Sequence, residues 1–133
     1  MATAVQPSQL RALAQVAAMI PGVQVLVLYG SRARGDAGSG SDWDLGYLGD
    51  PDLDQADLLL AVIEALHTDA VDLADLSRAG GLLRFRVARD GQTLFERTPG
   101  LMDRFRLEAA DFWCDAAPVL EPGLEAVLTE PGR

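Results

Sequence analysis

The stretch Asp42-Trp43-Asp44-Leu45-Gly46-Tyr47-Leu48 constrains this chain more than any other. Small or acidic residues alternate with large apolar ones, the period of two that marks a strand with one face in a core. Trp43, Leu45 and Tyr47 take the core face, so the face carrying Asp42, Asp44 and Gly46 is expected to lie outside it. Residues two apart on a strand have Cα atoms about 6.6 Å apart, close enough for both carboxylates to share one or two divalent ions. Without a cation the two charges repel, and aspartate is a poor strand former. A solvent-facing strand edge is the plain alternative, but it gives the pair no reason to be there.

Before this stretch, Val23 to Leu28 is uncharged and rich in valine and leucine, which predicts a strand buried on both faces. A helix precedes it, starting at Ser8 as N-cap, with Leu10, Leu13, Ala14, Ala17 and Ile20 on one stripe and Pro21-Gly22 as its end. After it, Asp52 is expected to cap a helix with Gln55 at N3. Leu53, Ala56, Leu60 and Ile63, together with Leu59, Val62 and Leu66, give that helix a broad apolar face. A third strand follows from Ala70 to Leu76. Gly80-Gly81 opens a helix from Leu82 to about Arg89, closed by Asp90 with Gly91 at C′. Gln92 to Glu96 reads as a short edge strand. A last helix from about Leu101 to Ala117 carries Leu101, Phe105, Ala109, Phe112 and Ala116 on one stripe and is stopped by Pro118.

This order predicts an α/β (α+β) fold, a small mixed sheet of about four strands flanked by helices. A single domain is expected over residues 1–133, with its core over about 8–96, a C-terminal helix over about 101–117 and a loose tail from about 121.

The chain has 20 acids against 11 bases, a formal net charge of -9, and every base is arginine. That balance argues against direct nucleic-acid binding, where a basic face supplies most of the affinity. The absence of lysine excludes Schiff-base chemistry and a phosphate-binding lysine. The single cysteine, Cys114, excludes an internal disulfide, and with the single histidine, His67, it excludes a Cys/His zinc cluster. Cys114 is expected to be a small buried apolar residue and His67 a helix-end residue. No apolar run approaches the roughly 18 residues of a membrane span, and there is no basic leader, so no membrane contact and a cytoplasmic location are expected.

Two further features bear on chemistry. Gly30-Ser31 directly follows a buried strand, where glycine permits a sharp turn and a starting helix points free amides at a phosphate. A plain turn has the same appearance. Asp72 lies in Ala-Val-Asp-Leu-Ala-Asp-Leu; with Val71 and Leu73 toward the core, Asp72 projects from the other face of its strand, where a neighbouring strand can set it beside Asp42 and Asp44. Asp75 has the opposite parity. Two magnesium ions offset more than half of the summed negative charge of three carboxylates and a nucleoside triphosphate, whereas the carboxylates alone would repel the nucleotide.

Gly30-Ser31, ten residues, Asp42-x-Asp44 and then Val71-Asp72-Leu73 together resemble the DNA polymerase β-like nucleotidyltransferase superfamily. The string Gly-Ser-Arg-Ala-Arg-Gly-Asp-Ala is similar to its minimal nucleotidyltransferase (MNT) branch of antitoxins. The resemblance implies that Gly30 and Ser31 hold the triphosphate of ATP, with Arg32 and Arg34 also toward the nucleotide or a partner. It implies that Asp42, Asp44 and Asp72 bind two Mg2+ ions and carry catalysis. It further implies a protein adenylyltransferase whose partner is a HEPN-domain toxin in a hetero-oligomer; AMP passes to a tyrosine hydroxyl of the toxin and silences its ribonuclease. Toxin docking is expected at the C-terminal helix or at the helix bearing Arg84, Arg86 and Arg89, for which a solvated helix face is the plain reading. The alternatives are an antitoxin that only occludes its toxin and a small-molecule nucleotidyltransferase with its acceptor at a dimer interface.

Overall fold

The computed structural model describes residues 5–35 and 42–120, with side chains as far as Asp111. Elements follow in the order α1 (Pro7–Met19), β1 (Val23–Tyr29), α2 (Gly30–Arg34), β2 (Trp43–Gly49), α3 (Gln55–Leu66), β3 (Val71–Asp75), α4 (Gly81–Asp90), β4 (Gln92–Glu96) and α5 (Leu101–Leu120). The strands form one mixed sheet in the order β3-β2-β1-β4. β1 is antiparallel to both β2 and β4, and β2 is parallel to β3. The expected mixed four-stranded sheet is therefore present, with β4 on its edge.

β1 shows why the sheet must have two covers. Leu26 and Leu28 belong to a cluster with Leu13 and Ala17 of α1, Leu45 and Tyr47 of β2, and Leu58 and Val62 of α3. Val25 and Val27 belong to a second cluster with Leu76, Val87 of α4, and Met102 and Phe105 of α5. All four β1 residues have no exposed surface. Helices α1 and α3 thus cover one face and α4 and α5 the other, the two-layer burial that an uncharged run demands.

Several local expectations change. Gln6, not Ser8, caps α1; its backbone N–H donates to the Gln9 side chain at 2.9 Å, and Pro7 fills the first helical position, where a missing N–H is harmless. Asp54, not Asp52, caps α3, accepting from the Ala56 N–H at 2.9 Å. The buried stripe of α3 is Leu58, Val62 and Leu66, while Leu60 is 61% exposed. His67 ends α3 in the left-handed region, φ 58°, its N–H donating to the Ile63 carbonyl. The last helix runs through Pro118 to Leu120, the proline standing two residues before the helix end and forfeiting one bond of the final turn. Met102 joins Phe105 and Ala109 on its buried stripe. Phe112, Cys114 and Ala116 have side chains outside the described residues, as is the segment from 121.

Gly91 ends α4 with extended backbone, φ -69°, rather than a left-handed turn. Its role is proximity: a Cβ there would stand 2.5 Å from the Val87 carbonyl oxygen and 2.7 Å from Val27 Cγ2. Helix α4 therefore runs directly into β4 with its last turn pressed on β1.

Arginines bind these layers through carbonyl oxygens. Arg97 donates Nε to Val23 O at 2.9 Å and Nη2 to Ala17 O at 3.1 Å and Ile20 O at 3.2 Å, tying the end of α1 to the start of β1. Arg106 of α5 donates to Ala88 O at 3.1 Å and Gly91 O at 3.0 Å, closing the end of α4. A cation at these helix ends also meets the negative pole of the dipole.

Arg97→Ala is expected to lower stability by about 1–3 kcal/mol, since several acceptors lose one charged fork. Gly91→Ala is expected to cost about 1–3 kcal/mol through overpacking against backbone that cannot yield. Urea-unfolding midpoints of the two variants check both.

Candidate active site

The site begins with register. Tyr29 of β1 is paired with Asp44 of β2, and Asp44 is paired with Asp72 of β3. Residues in register on adjacent strands share a face, so the three side chains form a row across the sheet on the side of α4 and α5. Farther along the same face Leu76 lies against Gly46, which is buried. The face expected to stay out of the core is therefore divided: apolar cover over Gly46 and an open cleft over Asp44.

That cleft measures about 620 Å³. Tyr29, Asp44 and Asp72 make its floor, Gly30, Ser31 and Arg34 of α2 one wall, and Leu83, Arg86, Arg89 and Asp90 of α4 the other. Of the residues singled out from the sequence, Gly30, Ser31, Arg34, Asp44 and Asp72 are brought together here. Arg32 does not line the cleft; its guanidinium lies over the Trp43 ring, 4.5 Å from the centroid. Trp43 is 3% exposed, in the core as expected. Asp42 directly precedes β2 and is exposed, because the strand starts one residue later, with the Trp43 N–H donating to Ala70 O at 2.8 Å.

Gly30 sits at φ 74°, and a Cβ on it would overlap the Asp44 carboxylate. Glycine is thus required twice over, by the left-handed backbone and by the acid beneath it. The helix it opens has only five residues, so what α2 offers is turn amides rather than a developed macrodipole.

Burial raises the Asp44 pKa above its ordinary value, and Asp72 and then Asp42 raise it further, against the pull of Arg34 and Arg32. Burial, then Asp72 and Asp44, push Tyr29 up to about 12, so its hydroxyl remains a donor throughout the physiological range. Like charges concentrated on hard oxygen donors suit a small divalent cation such as Mg2+. Among the described residues no three acidic, histidine or cysteine side chains close into a metal-binding group. An ion held at Asp44 and Asp72 would complete its shell with Asp42, water and phosphate oxygens, the partly hydrated binding Mg2+ favours.

The α4 wall corrects the reading of its three arginines as one surface. Arg84 turns away, donating Nη1 to Leu76 O at 2.9 Å and standing 3.9 Å from Glu108. Arg86 and Arg89 line the cleft. Arg89 grips Asp90 with Nε at 3.1 Å and Nη2 at 2.9 Å, and that hydrogen bonding holds the Asp90 carboxyl below its usual range, with Arg34 contributing. Tyr29, Leu83, Arg86, Arg89 and Asp90 were not assigned to the site from sequence. The available signal was the absence of lysine, which leaves arginine as the cation for any anionic ligand.

Asp44 folds at a raised pKa, so its favourable contribution is present below 3.8 and is lost as pH climbs through the folded value. Asp44→Asn is accordingly expected to raise the metal-free melting midpoint slightly at neutral pH, where solvent screening leaves only part of the like-charge repulsion to relieve. A midpoint increase with Mg2+ is expected for the wild type and not for this variant. Thermal melts with and without Mg2+ between pH 4 and 8 test this.

Residues 11–99 match the family described as polymerase beta, nucleotidyltransferase. The protein adenylyltransferase MntA of Aphanizomenon flos-aquae (strain 2012/KM1/D3) is 31% identical over 99 residues, 65% of this chain and 66% of that protein. The chain thus spans just under two thirds of that relative's length. A chain of a toxin-antitoxin crystal structure with AMP-PNP aligns with a TM-score of 0.67 at 23% identity, covering 94% of this chain and 100% of that one. A chain of the complex of tri-AMPylated Shewanella oneidensis HEPN toxin with MNT antitoxin aligns at 0.62 and 22% identity, covering 91% and 97%. These structures share the fold. The family match runs from within α1 to just past β4 and takes in every residue lining the cleft, and the chain belongs to the polymerase beta nucleotidyltransferase family.

Proposed function

We propose that this chain is the antitoxin of a HEPN/MNT toxin-antitoxin pair and a Mg2+-dependent protein adenylyltransferase. It transfers AMP from ATP to a tyrosine hydroxyl of the HEPN toxin and so inactivates the toxin's ribonuclease, in the cytoplasm. The observation that carries the reading is the registered Asp44–Asp72 pair under a glycine turn in an arginine-walled cleft. Similarity to a protein named as an adenylyltransferase, and to chains from toxin-antitoxin complexes, supports the choice of acceptor.

In this reading Asp42, Asp44 and Asp72 hold two Mg2+ ions. When bound, the metal neutralises charge on the phosphates and favours an ionised acceptor oxygen. The Gly30-Ser31 turn and Arg34 receive the triphosphate, the backbone approaching closely because no Cβ intervenes at Gly30. Arg32, stacked on Trp43, steadies the start of β2 between Asp42 and Asp44 and adds positive field behind Asp44. Asp72 is the exposed member of the carboxylate pair and accepts the proton of the incoming tyrosine. The tyrosine oxygen bonds to the α-phosphorus as the bond to the β-phosphate oxygen breaks, giving the AMP-tyrosine ester and pyrophosphate. Tyr29 keeps its proton and donates a hydrogen bond on the floor of the cleft. The acceptor tyrosine approaches on its own protein surface.

The test uses Mg2+ and α-labelled ATP with the HEPN protein encoded beside this chain. Label is expected on a tyrosine of that protein, falling at least about 100-fold for Asp42→Asn and Asp44→Asn. Neutralisation of the toxin that survives both substitutions would favour occlusion and overturn the proposal.

A further inference from the structure

The cleft holds three arginines, and they are not equivalent. Arg89 has its fork committed to Asp90 through two hydrogen bonds. Arg34 acts on both Asp44 and Asp90, partly offsetting the upward push of burial, Asp72 and Asp42 on Asp44 and adding to the hold of Arg89 on Asp90. Arg86, between Leu83 and Arg89 on the cleft side of α4, is exposed and makes no hydrogen bond or ion pair among the described residues. Other arginines of α4 and α5 show the alternative clearly: Arg84 finds a carbonyl and a glutamate, and Arg106 finds two carbonyls. An arginine left without a partner in a concave, polar cleft, facing two carboxylates across the floor, is suited to an anion that enters from outside.

We infer that Arg86 binds the non-transferred phosphates of the nucleotide, the part that departs as pyrophosphate. The inference rests on the nucleotidyl-transfer reading of the cleft and extends it to the leaving group. The reacting phosphorus has to lie over Asp44 and Asp72, where the acceptor's proton can be taken, so the remaining phosphates extend toward a wall. Departure in line with attack concentrates charge on them. A planar guanidinium meets two phosphate oxygens at once, and no lysine exists in this chain to serve instead. Asp90 acts beside it as a positioning residue: by holding Arg89 it keeps that second cation on the wall rather than across the carboxylates.

Titration calorimetry of the full chain in Mg2+ with ATP, AMP and inorganic tripolyphosphate tests the assignment. Arg86→Ala is expected to weaken ATP and tripolyphosphate roughly tenfold or more, while AMP stays within about twofold of wild type. Arg86→Lys, with charge but no fork, should recover part of the loss. Unchanged ATP affinity in Arg86→Ala, with AMP transfer intact, overturns the assignment of Arg86 alone. An equal fall for AMP and ATP overturns it as well, because the residue would then support the cleft rather than the polyphosphate. Arg86-dependent tripolyphosphate binding in a wild-type protein that transfers no AMP sustains the assignment and sinks the adenylyltransferase reading instead. A wild type that binds none of the three overturns both. Because Arg86 is exposed, both variants should melt with the wild type, which separates a binding loss from a folding one.

Discussion

Two carboxylates held side by side are the constraint around which this fold is arranged. The parallel register of β2 and β3 sets Asp44 against Asp72, and partial burial at the start of β2 withdraws Asp44 from some of the water that would screen it. Such a pair persists only where the surrounding packing is strong enough to hold it. The strength comes from β1, which is buried on both faces by two independent clusters and carries Tyr29 and Gly30 to the edge of the pair. The glycine then makes the position possible, since any side chain there would occupy the space of the Asp44 carboxylate.

Arginine serves two opposite purposes in this molecule. Arg97 and Arg106 spend their donors on main-chain carbonyls, where a charge that never titrates fastens helix ends to the sheet. Arg86 makes no such bond among the described residues. The same residue type therefore acts as a structural fastener at some sites and as a ligand-directed cation at another, and the difference lies in whether a carbonyl is within reach. The strongly acidic total of the chain conceals this, because the cleft has as many arginines as aspartates along its lining.

The strands were legible in the sequence because burial imposes periodicity: the uncharged run of β1 and the alternation in β2 each carry one reading. Asp72 was legible for the same reason, since parity alone places it opposite Val71 and Leu73. Helix starts were less so. Asp50, Asp52 and Asp54 all precede α3, and which one caps it depends on where Leu53 is pinned against Gly49. The stripe of α3 followed that shift, exposing Leu60 and burying Leu58. The α4 wall was not legible, because Arg86 in a cleft and Arg86 on a solvated face have the same neighbours in sequence. Only the contact between layers distinguishes them. Arg32 shows the reverse case, lying within the motif yet turned onto Trp43.

Gly91 joins α4 to β4 without a spare residue, and Arg106 clasps the joint from α5. The C-terminal end of the wall bearing Arg86 and Arg89 is consequently anchored at the edge of the sheet. Ligands of different phosphate length are then ranked by how far they reach from the carboxylates of β2 and β3 to that wall.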